Sequence, residues 1–152
     1  MLGTLLLCGC ARNVDVEKVV HITDVSTGWY DAGIVEGQKN KLVPSISLKL
    51  QNVSAERVGG VQLMGIFRRL GQGESWGEHF VLAINREGLA PGATGNLIVL
   101  RSEGGYTGTQ PRLTMLQNRE FVDATVDIFG KQGSRNWVKI AEYPIERQLL
   151  TE

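Results

Sequence analysis

The sequence predicts an all-β fold, an antiparallel β-sandwich of about seven strands, and three observations predict it. Apolar and polar residues alternate with a period of two along much of the chain, the pattern of half-buried strands. Turn-forming residues interrupt that pattern at short intervals: Gly71-Gln72-Gly73, Pro91-Gly92 and Gly130-Lys131-Gln132-Gly133-Ser134. No window of about 18 residues sustains a helical period, which argues against an α/β enzyme fold. A chain of 152 residues suits one domain with its own core. Its composition, 42% apolar and 21% charged, is that of a globular protein rather than a disordered one.

Taken in order, strands are predicted near 16–28, 43–53, 58–69, 76–84, 95–101, 119–129 and 135–147. In the second, Ile46, Leu48 and Leu50 alternate with Ser45, Ser47, Lys49 and Gln51. The third holds Val61 to Phe67, apolar at nearly every position, as expected of a central strand covered on both faces. Phe80, Leu82 and Ile84 set the fourth, although Val81 and Ala83 make its other face apolar as well. Leu97 and Val99 mark the fifth. A short helix or irregular turn is expected over 112–118. Val122, Ala124, Val126 and Ile128 alternate with Asp123, Thr125 and Asp127 in the sixth, and a hairpin at Gly130–Ser134 leads into the seventh. Seven strands with closely spaced turns read as two packed sheets.

The first ten residues, Met-Leu-Gly-Thr-Leu-Leu-Leu-Cys-Gly-Cys, resemble the start of an exported bacterial lipoprotein. Leu7-Cys8-Gly9-Cys10 is similar to a lipobox, with an aliphatic residue, two small residues and the cysteine that takes the lipid. No Lys or Arg precedes Cys10, so the signal segment, residues 1–9, lacks the usual basic start. Cleavage before Cys10 would remove Cys8 and leave no free thiol, which suits an oxidising compartment. Residues 10–17 are then a lipidated tether and 18–150 the sandwich domain. Ala11 follows the candidate cysteine where Asp would signal inner-membrane retention, so the resemblance implies the periplasmic face of the outer membrane of a bacterial envelope. An acylated cysteine carries several chains, which gives stable anchoring.

A second resemblance lies in the body of the chain. Ile46-Ser47-Leu48-Lys49-Leu50-Gln51-Asn52-Val53-Ser54, with its Asn-x-Ser turn, and Leu89-Ala90-Pro91-Gly92 look like strand and turn motifs of small exported immunoglobulin-like modules of the FxLYD type. The likeness covers about residues 43–101 and lacks the Phe-x-Leu-Tyr-Asp string itself. It implies an immunoglobulin-like sandwich serving as an adhesive or scaffold module, and it carries over no catalytic residue.

Catalytic chemistry finds few residues to use. His21 and His79 are the only imidazoles. Ser75, Glu78 and His79 lie close in sequence, but strand neighbours two apart are separated by about 7 Å, and no G-x-S-x-G elbow occurs. Asp123 and Asp127 would stand about 13 Å apart along a strand, too far to share one ion. No calcium-loop pattern occurs, and Gly104-Gly105-Tyr106-Thr107-Gly108 lacks the Lys-Ser/Thr of a phosphate loop. The expectation is therefore a protein that is not an enzyme, with no metal and no cofactor. Sixteen basic against sixteen acidic residues argue against nucleic acid as a partner.

Surface recognition remains. Trp29-Tyr30-Asp31, beside Gly28 and Gly33 where the first strand is expected to end, suits a sugar platform or a protein hot spot. The favoured alternative for Trp29 is that it covers one end of the core. Trp137 is expected to face Phe129 across the last hairpin. Tyr106, in the glycine-rich 102–111 connection expected to be a mobile loop, is the first candidate for a partner contact, followed by Trp29 and Tyr30. The expected function is a membrane-anchored envelope lipoprotein, held by lipid on Cys10, that docks another envelope protein; the alternative is a carbohydrate- or peptidoglycan-binding module.

Overall fold

The computed structural model describes residues 15–150; the signal segment, Cys10 and the first part of the tether lie outside them. The folded chain begins earlier than the predicted tether allows. Val16–Val19 form one helical turn, α1, and Val16 and Val19 are both buried, so residues 16 and 17 belong to the domain. The strand predicted from residue 16 starts only at β1 (Val20–Val35) and runs seven residues past its predicted end. Neither Gly28 nor Gly33 stops it. Leu150 packs into the space where a Cβ on Gly28 would stand, 2.6 Å from Leu150 Cγ. Gly33, with φ of 90°, lies in a register shift between Asp31 and Ile34, its amide donating to Asp31 Oδ1 at 2.9 Å.

β2 (Lys39–Asn52), β3 (Val61–Arg69), β4 (Gly77–Ile84) and β5 (Ile98–Arg101) follow. Next come β6 (Tyr106–Gly108), the predicted short helix as α2 (Arg112–Gln117), β7 (Ala124–Gln132), β8 (Val138–Pro144) and β9 (Leu149–Leu150). One sheet has the order β5-β2-β1-β9, with β6 also paired to β2; the other is β4-β3-β7-β8. Pairing is antiparallel except for the short β1–β9 contact. The all-β sandwich predicted by the alternation is thus present, with β6 and β9 as short additions.

The core lies between the sheets. Leu42, Ile46, Leu48 and Leu50 of β2 meet Leu63 and Phe67 of β3 and Val126 and Ile128 of β7. Each of these is set on the inward side of a period-two strand. The two motifs that carry the family resemblance meet in a single knot. Buried Asn52 donates from Nδ2 to the carbonyls of Glu56 (2.8 Å) and Leu89 (2.9 Å), and its Oδ1 accepts from the Ser54 amide and hydroxyl. The Asn52 amide donates to the Ala93 carbonyl, and the Gly92 amide to the Asn52 carbonyl. Asn-x-Ser and Leu-Ala-Pro-Gly are therefore two halves of one clamp that closes the β2 end of the sandwich.

Asn52→Ala takes the shared acceptor from the Ser54 amide and hydroxyl and one of two donors from each of the Glu56 and Leu89 carbonyls, which keep the Ser54 hydroxyl and the Val58 amide. It is expected to lower stability by about 1–3 kcal/mol, read as a fall in urea midpoint at unchanged slope. An unchanged midpoint would mean that the clamp is not needed.

Candidate functional site

Two of the aromatic residues singled out in the sequence, Trp29 and Tyr106, converge with Trp76 and Phe121 at the end of the sandwich opposite α1. Trp29 sits mid-strand in β1, paired with Pro44, and is 0% exposed. Its ring meets Trp76 at 6.0 Å, Tyr106 at 5.7 Å and Phe121 at 4.5 Å, edge-on or tilted, as ring quadrupoles favour. Trp29 thus covers the end of the core, as the favoured alternative had it. As a surface platform it is corrected, since no face of it reaches solvent.

The expectation of a mobile loop around Tyr106 is corrected as well. The 102–111 connection is not an open loop: β6 pairs with β2, Tyr106 opposite Leu42 and Thr107 opposite Lys41. The Tyr106 hydroxyl donates to the Val122 carbonyl at 3.1 Å and accepts from the Val122 amide at 3.2 Å, and its ring lies 4.8 Å from Trp76. The glycines before it serve close packing. A Cβ on Gly105 would lie 2.1 Å from the Leu42 carbonyl oxygen, and one on Gly104 2.3 Å from that of Trp76. The flank of Tyr106 still lines an open cleft of about 420 Å3 with Met115, Asn118, Glu120 and Phe121.

Tyr30 points to the other side of its sheet, where the Arg101 guanidinium stacks 3.5 Å from the ring centroid. Its neighbour Asp31 pairs with Arg112 at the start of α2, N to O 2.5 Å. The Arg112 hydrogen bond holds the Asp31 carboxyl below its ordinary value, against a smaller opposing effect of desolvation. His79, one of the two imidazoles, does not point outward. It faces the inner side of β4, and its Nδ1 accepts from the Arg101 amide at 2.9 Å, tying the two sheets together where β4 and β5 approach.

The surface left open is one the sequence did not single out. β3 is central, as predicted, but only one of its faces is covered. Val61, Leu63 and Phe67 point into the core, whereas Gln62, Met64 and Ile66 lie half-buried on the outer face. On β4 the inward positions are Val81 and Ala83, so Phe80 and Leu82 project outward, 54% and 57% exposed. Phe80 stands opposite Met64, and Met64 opposite Phe129, a cross-strand row of three apolar side chains. Leu82, Gln62 and Lys131 form the adjoining row, with Ile66 flanking on the other side.

Trp137 completes the patch. It does not face Phe129, whose register partner is Lys139; the shift after Ile128 moves the tryptophan ring over Phe80, 5.8 Å centroid to centroid, with Lys131 5.1 Å from the ring. Beyond the row, Asp127 is almost fully buried on this same outer face. It is capped by Arg68 and by Lys139 at 3.2 Å. Hydrogen bonds to Glu142 and Asp127 hold the Lys139 ammonium above its usual pKa. The result is an exposed apolar centre bounded on one side by satisfied charges.

Among the described residues, no group of three or more His, Cys, Asp or Glu is placed to hold a metal ion, and no helix is long and apolar enough to cross a membrane. No protein-family model, curated protein or solved structure matches this chain.

Two outcomes follow. Trp29→Ala removes the centre of the aromatic cluster and should cost about 3–5 kcal/mol in a denaturant titration, whereas Phe80→Asp should cost about 1 kcal/mol or less. Because the folded Asp31 pKa is depressed, its pairing stabilises the fold above the unfolded carboxylate pKa. That small, solvent-screened contribution fades as pH falls through the folded value. Arg112→Ala should move the Asp31 midpoint upward in a carboxyl-detected NMR titration; a midpoint that stays in place would remove Arg112 as the cause.

Proposed function

We propose that this chain is a non-enzymatic, membrane-anchored envelope lipoprotein, attached through Cys10, whose sandwich docks another envelope protein on the outer face of the β4-β3-β7-β8 sheet. One observation carries the docking surface: Phe80 and Leu82 project outward from β4 and join Met64, Phe129 and Trp137 in a continuous apolar patch. Burying two side chains of this size contributes about 1.5–3 kcal/mol each, the scale of an interface hot spot. An aliphatic and aromatic surface of this kind suits an apolar protein segment, such as a strand or helix face. The immunoglobulin-like resemblance agrees with a scaffold role by analogy of fold alone.

The carbohydrate reading has less support, because all three of its candidate aromatics are engaged. Trp29 is buried, the Tyr106 hydroxyl is bonded to the Val122 backbone, and Tyr30 lies beneath Arg101. The anchor rests on the Leu7-Cys8-Gly9-Cys10 sequence.

In-cell crosslinking of the tagged chain, with a photoreactive group at position 62 in the row beside the Phe80-Met64-Phe129 row, tests the docking face. One envelope protein should be enriched with the parent chain and lost with Phe80→Asp plus Leu82→Asp. Crosslinks that persist in that double variant would contradict the surface. Cys10→Ser should release the chain from the membrane fraction, and retention would contradict the anchor.

A further inference from the structure

We propose that the α1 end of the sandwich rests against a lipid surface, so that the strands stand up from the membrane and the apolar patch begins close to the bilayer. The inference builds on the reading of Cys10 as the lipid-bearing residue. It follows from how early the fold takes hold of the chain. Val16, 3% exposed, is packed into the core, with its Cγ1 in the space beside Gly130. Asp15 is held by Arg135 of the β7–β8 turn at 3.1 Å and by Lys18 at 3.3 Å.

The exit point of the tether is thus fixed beside residues 133–137. From Cys10 to Asp15 there are only five Cα–Cα steps, which span at most about 18 Å even when fully extended. A sandwich whose β2 has 14 residues, about 45 Å of strand, cannot turn over on so short a leash.

The end that the tether leaves is built from α1, the 53–60 and 85–97 connections and the 133–137 turn. It presents Val53 and Leu97, the latter 56% exposed, with Trp137 at its edge. Exposed Lys18, Arg57 and Arg86 there are matched by Glu17, Glu56 and Glu87, so charge neither drives nor prevents contact with anionic lipid. Tether length and the exposed apolar side chains decide the orientation. A tryptophan at such an edge suits the headgroup region, where an amphipathic ring is favoured. Leu82 lies two residues from the β4 end on this side, which places the patch within about 10 Å of the tether-bearing end. The partner fitted to the patch is accordingly one held at the same membrane.

The chain's own tryptophans report the orientation. Trp137 is at the tether end, and Trp29 and Trp76, in ring contact at 6.0 Å, are toward the other. The full chain carrying Cys8→Ser has Cys10 as its single thiol. It can be coupled there to a maleimide lipid in vesicles of phosphatidylethanolamine and phosphatidylglycerol that contain a headgroup spin-labelled quencher. The difference between this protein and its Trp137→Phe form isolates the Trp137 emission. Quenching should remove at least half of the Trp137 emission and leave that of Trp29 and Trp76 unchanged. Equal quenching of all three, or none, would overturn the orientation. Because the lipid is supplied chemically, that failure is separate from failure of the anchor, which is an unacylated Cys10 mass from cells and would overturn both.

Discussion

Everything at the far end of the sandwich depends on one buried indole. Trp29 comes from β1 in the first sheet, Trp76 from the residue before β4 in the second, Tyr106 from β6 and Phe121 from the approach to β7. Edge-to-face and tilted contacts between these four rings join both sheets and two connections in a single apolar plug. The Trp29 Nε1 donor has no hydrogen-bond partner within it, so the indole itself is held by packing alone. Gly104 and Gly105 are glycines because the backbone of Trp76 and Leu42 lies where their Cβ atoms would be. Arg147 adds a polar strap, donating to the Phe121 carbonyl at 2.6 Å and pairing with Asp123.

That plug decides which surface is free. It takes Trp29 wholly out of solvent and engages the ring and hydroxyl of Tyr106, two of the aromatic side chains that the sequence assigns to recognition. The opposite assignment holds on β4. A strand with apolar residues on both faces can bury only one of them in a two-layer sandwich. Val81 and Ala83, the smaller pair, face the core near the approach of β5, and the larger Phe80 and Leu82 are left outside. In the lipid-anchored orientation we propose, the tether end would set the height of that patch, because Asp15 is fixed to Arg135 a few residues from Trp137.

Much of the fold was legible in the sequence, and the parts that were not have physical reasons. Period-two patterning located β2, β3, β4 and β7, since a half-buried strand must alternate. It missed β6 because Tyr106–Gly108 is three residues long and glycine-flanked, with no room for a pattern. It ended β1 too soon because Gly28 and Gly33 look like breakers; one allows Leu150 to pack close and the other takes a positive φ inside a bulge. The candidate site was less legible than the fold. The signal was present in the two-faced apolarity of residues 80–84 and 61–67, but periodicity alone cannot tell a strand covered on both sides from one with an unpartnered face. Glycine-rich surroundings made Tyr106 look mobile, when they serve close packing.

Amide hydrogen exchange over residues 102–111 tests the central claim most directly, that the glycine-rich connection is a structural strand closing the aromatic plug rather than a binding loop. The account predicts that the peptide spanning Tyr106–Gly108 exchanges as slowly as its partner Asn40–Leu42 in β2, both opening only with the aromatic plug. Exchange of that peptide at the rate of an open chain, while β2 stays protected, would contradict it and return Tyr106 to the surface as a contact residue.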